Sequence, residues 1–229
     1  LLVIFPHPDD EAFSSAGTII QHHKHGFPVT YVCLTLGEMG RNMGSPIFTT
    51  REELPKIRKH ELEEACAVMG IDDLRMWGLR DKTVEFEDEA ELAARFSALI
   101  EEVQPARVIS FYPGYAVHPD HEATARAVVR ALQDIDASKR PEFLGVAFDH
   151  RTDAELGKPH VVIEVGQEST AKREALLAHR SQTEGLLRAI DNAENAHVME
   201  LLQRERFYHY PFSLFIGEAR HVQQCTDSP

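Results

Sequence analysis

Short β-prone runs alternate with stretches of helical spacing over the first two-thirds of this chain, and that alternation limits the folds open to it. Leu1–Phe5 (LLVIF) reads as a buried strand, and Glu11–Lys24 as a helix ended by Gly26. Val29–Leu36 is a second strand, and the segment after it, to Thr50, holds three Gly and one Pro and reads as a long loop. Thr50 with Glu53 can form a capping box and Pro55 suits a first helical turn, so a helix is expected to Met69, stopped by Gly70. Leu74–Gly78 (strand), Glu89–Val103 (helix), Ala106–Tyr112 (strand) and Glu122–Gln133 (helix) continue the pattern. The acids of Val84–Phe96 suit the start of the helix there. Phe143–Phe148 and His160–Val165 then read as strands, Ser169–His179 and Glu184–Gln203 as helices, and Phe207–Phe215 as a last extended segment.

Alternation of this kind builds right-handed βαβ units. The expectation is one α/β domain over residues 1–229, Rossmann-like, with a mostly parallel sheet and helices on both faces. Its 229 residues, 43% apolar, are enough for one substantial core and too few for two. No apolar run reaches the ~20 residues of a membrane span. LLVIF is too short, and lacks the basic start, for a secretory signal. With no initiator Met before Leu1, a few residues are expected to precede the first strand. A net charge of −13 argues against nucleic acid or an anionic membrane as partner. Cys33, Cys66 and Cys225 are far apart and form no CxxC, so they read as reduced thiols of a cytoplasmic protein.

In a parallel sheet ligands bind beyond the carboxyl ends of the strands. Two polar turns fall there: HPDDE, His7 to Glu11, after the first strand, and HPDH, His118 to His121, after Ala106–Tyr112. Together they bring three histidines and three aspartates to one rim. One H-P-D triplet alone is an ordinary capped turn; two at strand-to-helix junctions point to a shared metal site. Histidine nitrogen with carboxylate oxygen is a zinc-type ligand set, and a catalytic zinc takes three such ligands and one water. The groups left over can serve as base, oxyanion donor and orienting carboxylate.

The pair PHPDDE and HPDH, about 110 residues apart in an alternating α/β chain, resembles the LmbE-like (PIG-L) zinc-dependent N-deacetylases. The likeness extends over LTLGEMGRN, TTREELPKIRKHELEEACAVMGI and KREALLAHRSQT, and these segments look most like the bacillithiol-biosynthesis branch. Members of the family remove acetyl groups from N-acetylglucosamine-containing small molecules, and the branch acts on N-acetylglucosaminyl malate. By position, the resemblance implies that His7, Asp10 and His121 hold Zn2+, with Fe2+ as an alternative. Asp9 is then the general base, and His118 the acid or oxyanion donor, oriented by Asp120. Glu11 opens the helix. A small-molecule amino-sugar conjugate is the implied partner, and family members often form homo-oligomers.

Such a substrate calls for cations and hydroxyl-binding acids at the same rim. Arg51 matches a family arginine near the active site, and Asp81 resembles the family acid that binds sugar hydroxyls. Arg80 and Arg41 are weaker candidates. Tyr115 stands three residues before His118, whereas some relatives carry a tyrosine two residues before; Tyr112 competes with it. His179, in LLAHRSQ, either lines the pocket or packs beneath it. His22 and His25, in HHKHG, sit at the wrong end of their helix for this site and read as dipole partners. The competing functions are a deacetylase of chitin-type oligosaccharides, an amidase of thiol-sugar conjugates, and a non-catalytic metal- or sugar-binding module. Nucleotide binding is disfavoured, because the first turn has no GxGxxG.

Overall fold

β1 (Leu2–Phe5) is apolar at every position because it lies in the middle of a sheet covered on both faces. A computed structural model of the chain describes residues 1–183, 185 and 196–212. With β2 (Thr30–Thr35), β3 (Asp73–Leu79), β4 (Arg107–Phe111) and β5 (Glu142–Val146), β1 forms a parallel sheet of order β3-β2-β1-β4-β5. Alternate side chains of β1 enter different cores. Val3 and Phe5 pack with Ile19, Leu62, Met69 and Leu176, whereas Leu2 and Ile4 pack with Phe96, Leu99, Val128 and Leu132. The first core is covered by α1 (Asp10–Ser14), α2 (Ala16–Lys24) and α3 (Leu54–Met69). The second is covered by α4 (Glu89–Val103) and α5 (Pro119–Gln133). This is the expected Rossmann-like class.

Three expectations need correction. The helix read over Glu11–Lys24 is two helices, broken at Ser15 (φ −149°, ψ 11°). The segment His160–Val165 does not extend the main sheet. Its core, β6 (Val161–Glu164), pairs antiparallel with β7 (Arg204–Phe207) as a separate ribbon. Val161 and Ile163 pack on the first core while Val162 and Glu164 are exposed, the alternation of a ribbon with one wet face. The extended segment read over Phe207–Phe215 begins earlier, at Arg204, and reaches β5 through one bridge, Gly145 to Tyr208. After α6 (Thr152–Glu155) and α7 (Ser169–Ala178), α8 (Ala196–Gln203) is the described end of the helix read over Glu184–Gln203. Residues 213–215 and Cys225 lie outside the described residues. Among those described, no helix is long and apolar enough to cross a membrane.

The break at Ser15 creates a second helix start, and its amides are satisfied from far away. Gly17 N and Thr18 N each donate to the Glu205 carboxylate at 2.8 Å, and Lys172 Nζ lies 2.6 Å from Glu205 Oε1. Lys172 and Glu205 are 0% and 3% exposed. Lys172→Met leaves that carboxylate buried without its cation and is expected to cost about 3–5 kcal/mol. Urea denaturation measures it, and a loss below about 1 kcal/mol, the surface-pair range, rejects a structural role for the pair.

Candidate active site

β1 and β4 are neighbours, so the turns after them meet at the carboxyl edge of the sheet. His7 Nδ1 is 3.1 Å from His121 Nε2 and 3.5 Å from Asp10 Oδ2, and His121 Nε2 is 3.4 Å from Asp10 Oδ1. Tetrahedral zinc with bonds of ~2.0–2.1 Å separates its ligand atoms by about 3.3–3.4 Å. The three side chains therefore have the spacing of one cation's shell. The remaining ring nitrogens are held as metal-ligating histidines require. His7 Nε2 faces Asp81 Oδ1 at 3.0 Å and Asp120 Oδ2 at 3.3 Å, and His121 Nδ1 faces the Ala116 carbonyl at 3.1 Å. Each ring can donate through that nitrogen and present a lone pair through the other. His118 joins His7 and His121 in a second grouping, with ligand-type atoms within 4.8 Å of one another.

The electrostatics favour a cation. Burial works against a charged His7 ring, yet the Asp10, Asp120 and Asp81 carboxylates outweigh it and raise the His7 pKa well above its ordinary value. Burial disfavours ionised Asp10 in turn, and His121 and His7 overcome this and lower its pKa.

Asp9 precedes α1 at φ 92°, ψ −28°, and its side chain caps no helix amide. Arg58, from α3, donates to Asp9 Oδ2 at 3.0 Å, to the Gly37 carbonyl at 2.9 Å and to the Pro8 carbonyl. Burial pushes Asp9 up to about 6, against the pull of Arg58. A Cβ on Gly37 (φ 61°) would stand 1.9 Å from the Arg58 guanidinium, so only glycine leaves room for it. Two more non-glycine residues with positive φ border the site, Lys82 (63°) and Val117 (67°). Val117 is bridged by a bond from His118 N to the Ala116 carbonyl at 2.7 Å, a γ-turn unusual for a β-branched residue.

His118 caps α5, its Nδ1 accepting from Asp120 N at 3.2 Å, so the proton of the neutral ring sits on Nε2. Burial and the neighbouring His7 lower its pKa. The expected side-chain support of His118 by Asp120 is not what the structure holds. The Asp120 carboxylate accepts from Lys82 N at 2.7 Å and Glu85 N at 3.3 Å and faces His7; it braces His7 and meets His118 only through its own amide.

A cleft of about 330 Å3 opens over His7, Asp9, Asp10, His118 and His121, and its wall adds Met39, Gly40, Arg41, Arg58, Lys82 and Gln182. Asp81 is in that wall, but its oxygens are engaged by His7 and by Met39 N at 2.9 Å, which sets it behind the histidine. Arg51, Arg80 and Tyr115 do not line the cleft. Arg51 donates to the Glu38 and Gly40 carbonyls and braces the loop, and Arg80 is exposed. Tyr115 donates to Glu155 at 2.8 Å under the Arg151 guanidinium. Tyr112 is buried against Tyr208 and Tyr210. His179 is fully buried, 2.6 Å from Glu11. His22 and His25, near the carboxyl end of α2, enter no metal-type grouping among the described residues. Arg58 and Lys82 are the cleft cations that sequence reasoning missed, and no local signal in the sequence marks either of them.

A family model described as PIG-L: GlcNAc-PI de-N-acetylase matches residues 2–132. The chain is 52% identical over 217 residues to the probable N-acetyl-alpha-D-glucosaminyl L-malate deacetylase 2 of Bacillus anthracis, covering 93% of this chain and 95% of that one. It is 48% identical over 210 residues to the protein of the same name from Bacillus subtilis (strain 168), covering 91% and 95%. Among solved structures, the N,N'-diacetylchitobiose deacetylase from Pyrococcus horikoshii superposes with a TM-score of 0.69 at 24% identity, over 93% of this chain and 84% of that one. That likeness is one of fold. GalB, the 4-carboxy-2-hydroxymuconate hydratase from Pseudomonas putida KT2440, reaches 0.68 at 17% identity over 92% and 95%, so the fold does not dictate the reaction. The family match spans both histidine–aspartate turns and the Bacillus relatives cover nearly the whole chain: this protein belongs to the PIG-L, or LmbE-like, de-N-acetylase family.

Proposed function

We propose that the protein is a zinc-dependent hydrolase that removes the acetyl group from N-acetylglucosaminyl malate, the substrate of the bacillithiol-biosynthesis branch. The observation that carries the reading is the convergence of His7 Nδ1, His121 Nε2 and Asp10 at 3.1–3.5 Å, with the uncapped Asp9 carboxylate in the same cleft. Identity near 50% over more than nine-tenths of the chain supports the substrate. So do Arg41 and Lys82, two cations in the cleft wall that suit the malate carboxylates. A cytoplasmic setting belongs to the same proposal and is supported by the free, buried thiols Cys33 and Cys66.

In this reading His7, Asp10 and His121 hold the cation. When bound, it polarises water and the acetyl carbonyl at neutral pH, a task zinc performs and Fe2+ can share. Asp9 takes the proton of the attacking water. His118 donates from Nε2 to the oxygen on which negative charge develops. The C–N bond then breaks, acetate leaves, and the amine takes a proton from Asp9 or from His118.

The test is acetate release, read by mass spectrometry, from N-acetylglucosaminyl malate, free N-acetylglucosamine and N,N'-diacetylchitobiose. Turnover is expected to be fastest with the malate conjugate, lost on chelation and restored by zinc. Equal or faster turnover of N,N'-diacetylchitobiose overturns the substrate, and activity that survives chelation overturns the metal.

A further inference from the structure

Asp9 stands where a helix cap would stand and does not act as one. An aspartate before a helix usually accepts the amides two or three residues on. Here its side chain accepts none of them, and its backbone lies in a region that non-glycine residues rarely enter. Such a conformation persists only where its surroundings enforce it.

The enforcing contacts are buried behind the turn. Asp9 N donates to Glu11 Oε2 at 3.1 Å. The Tyr31 hydroxyl donates to the same oxygen at 2.9 Å, and His179 Nε2 lies 2.6 Å from Glu11 Oε1. Glu11, Tyr31 and His179 are all 0% exposed. A capping-box acid reaches back to the amide of the cap residue in this way, normally from three residues on; Glu11 does so from two. Both its oxygens are fixed by side chains from β2 and from the end of α7, so the anchor cannot follow if Asp9 relaxes.

We infer that Glu11, His179 and Tyr31 are positioning residues for the general base. By tying down the Asp9 amide they hold the residue left-handed, and this turns its carboxylate from the helix amides into the cleft. There Arg58 takes Oδ2, and no described residue bonds Oδ1. The inference rests on Asp9 being the base.

Glu11→Gln tests it, since the amide keeps the size but replaces one acceptor oxygen by a donor. The expected result is a kcat lower by about 10–100-fold, the range for lost supporting contacts, with KM and bound metal unchanged. Stability supplies a readout that a merely structural role would not move. Glycine tolerates φ 92°, so Asp9→Gly relieves that backbone strain while it forfeits the Arg58 ion pair; its Tm change should be more favourable in the parent than in Glu11→Gln, where Asp9 has already relaxed. Tyr31→Phe removes only the hydroxyl and serves if Glu11→Gln does not fold; its kcat should fall several-fold at unchanged KM. Additive Tm changes, or a kcat within twofold of the parent, overturn the inference and leave the base intact. A fall in kcat that tracks loss of metal also overturns it. A fully active Asp9→Asn enzyme instead overturns the reading of Asp9 on which all this stands.

Discussion

Asp9→Asn is expected to lower kcat by about 10²–10⁴-fold, the usual contribution of a positioned general base, while bound metal stays near that of the parent. The substitution keeps the shape and leaves His7, Asp10 and His121 untouched, so metal content and turnover should separate. Near-normal turnover would remove Asp9 from the chemistry. The same residue sets a pH limit. Only ionised Asp9 can accept a proton, and burial raises its pKa to about 6. A bound cation pulls that value down, so the acid limb of kcat/KM should lie at about pH 6 or below, with unit slope beneath it. For stability the sign is the reverse of the usual carboxylate case. The folded metal-free protein binds this proton more tightly than the unfolded chain does, so ionising Asp9 costs stability as pH rises from about 4 to about 6.

Asp10→Ala is expected to abolish tight metal binding, and turnover with it. Asp10 faces both histidine nitrogens and also accepts the His7 amide at 2.9 Å, so its loss removes a ligand and loosens the turn that carries another. Affinity should fall by more than the 10–100-fold typical of removing a carboxylate that only supports a ligand. Asp81→Asn and Asp120→Asn, which alter supports of His7, should stay within that range. Metal content after gel filtration against a zinc buffer separates the cases, and full occupancy in Asp10→Ala rejects Asp10 as a ligand.

The sheet and the placing of both turns were legible because they rest on local pattern. LLVIF has no polar position, as a central parallel strand requires, and proline at residues 8 and 119 marks each turn. The acids before Glu89 were read as a helix start, and Asp88 indeed accepts from Ala90 N and Glu91 N. Contacts that join distant segments were not legible. Arg58 lies in KIRKH, a string that reads as a solvated helix face, and only the crossing of α3 beneath the loop after β2 brings it to Asp9. Arg51, seven residues earlier, carries the same charge in the same segment, and its match to a family arginine drew the sequence reading to it, whereas nothing in the string marks Arg58. Ser15 is an unremarkable helix residue until Glu205, 188 residues beyond Gly17, supplies the acceptor for a new helix start. β6 misled for a different reason: four alternating residues look alike in an edge ribbon and in a half-covered sheet.

The cap on α2 also orders events in time. A ribosome adds about 5–20 residues per second. The 188 residues between Gly17 and Glu205 therefore take about 10–40 s to make at that pace. The first histidine–aspartate turn precedes that interval and the second, His118 to His121, is complete a little over half-way through it, yet to its end α2 has no acceptor for its first amides and Lys172, once made, has no counter-ion. Synthesis supplies the ligands early and the brace under the first turn almost last, so the amino-terminal half is fully supported only when the strand carrying Glu205 docks.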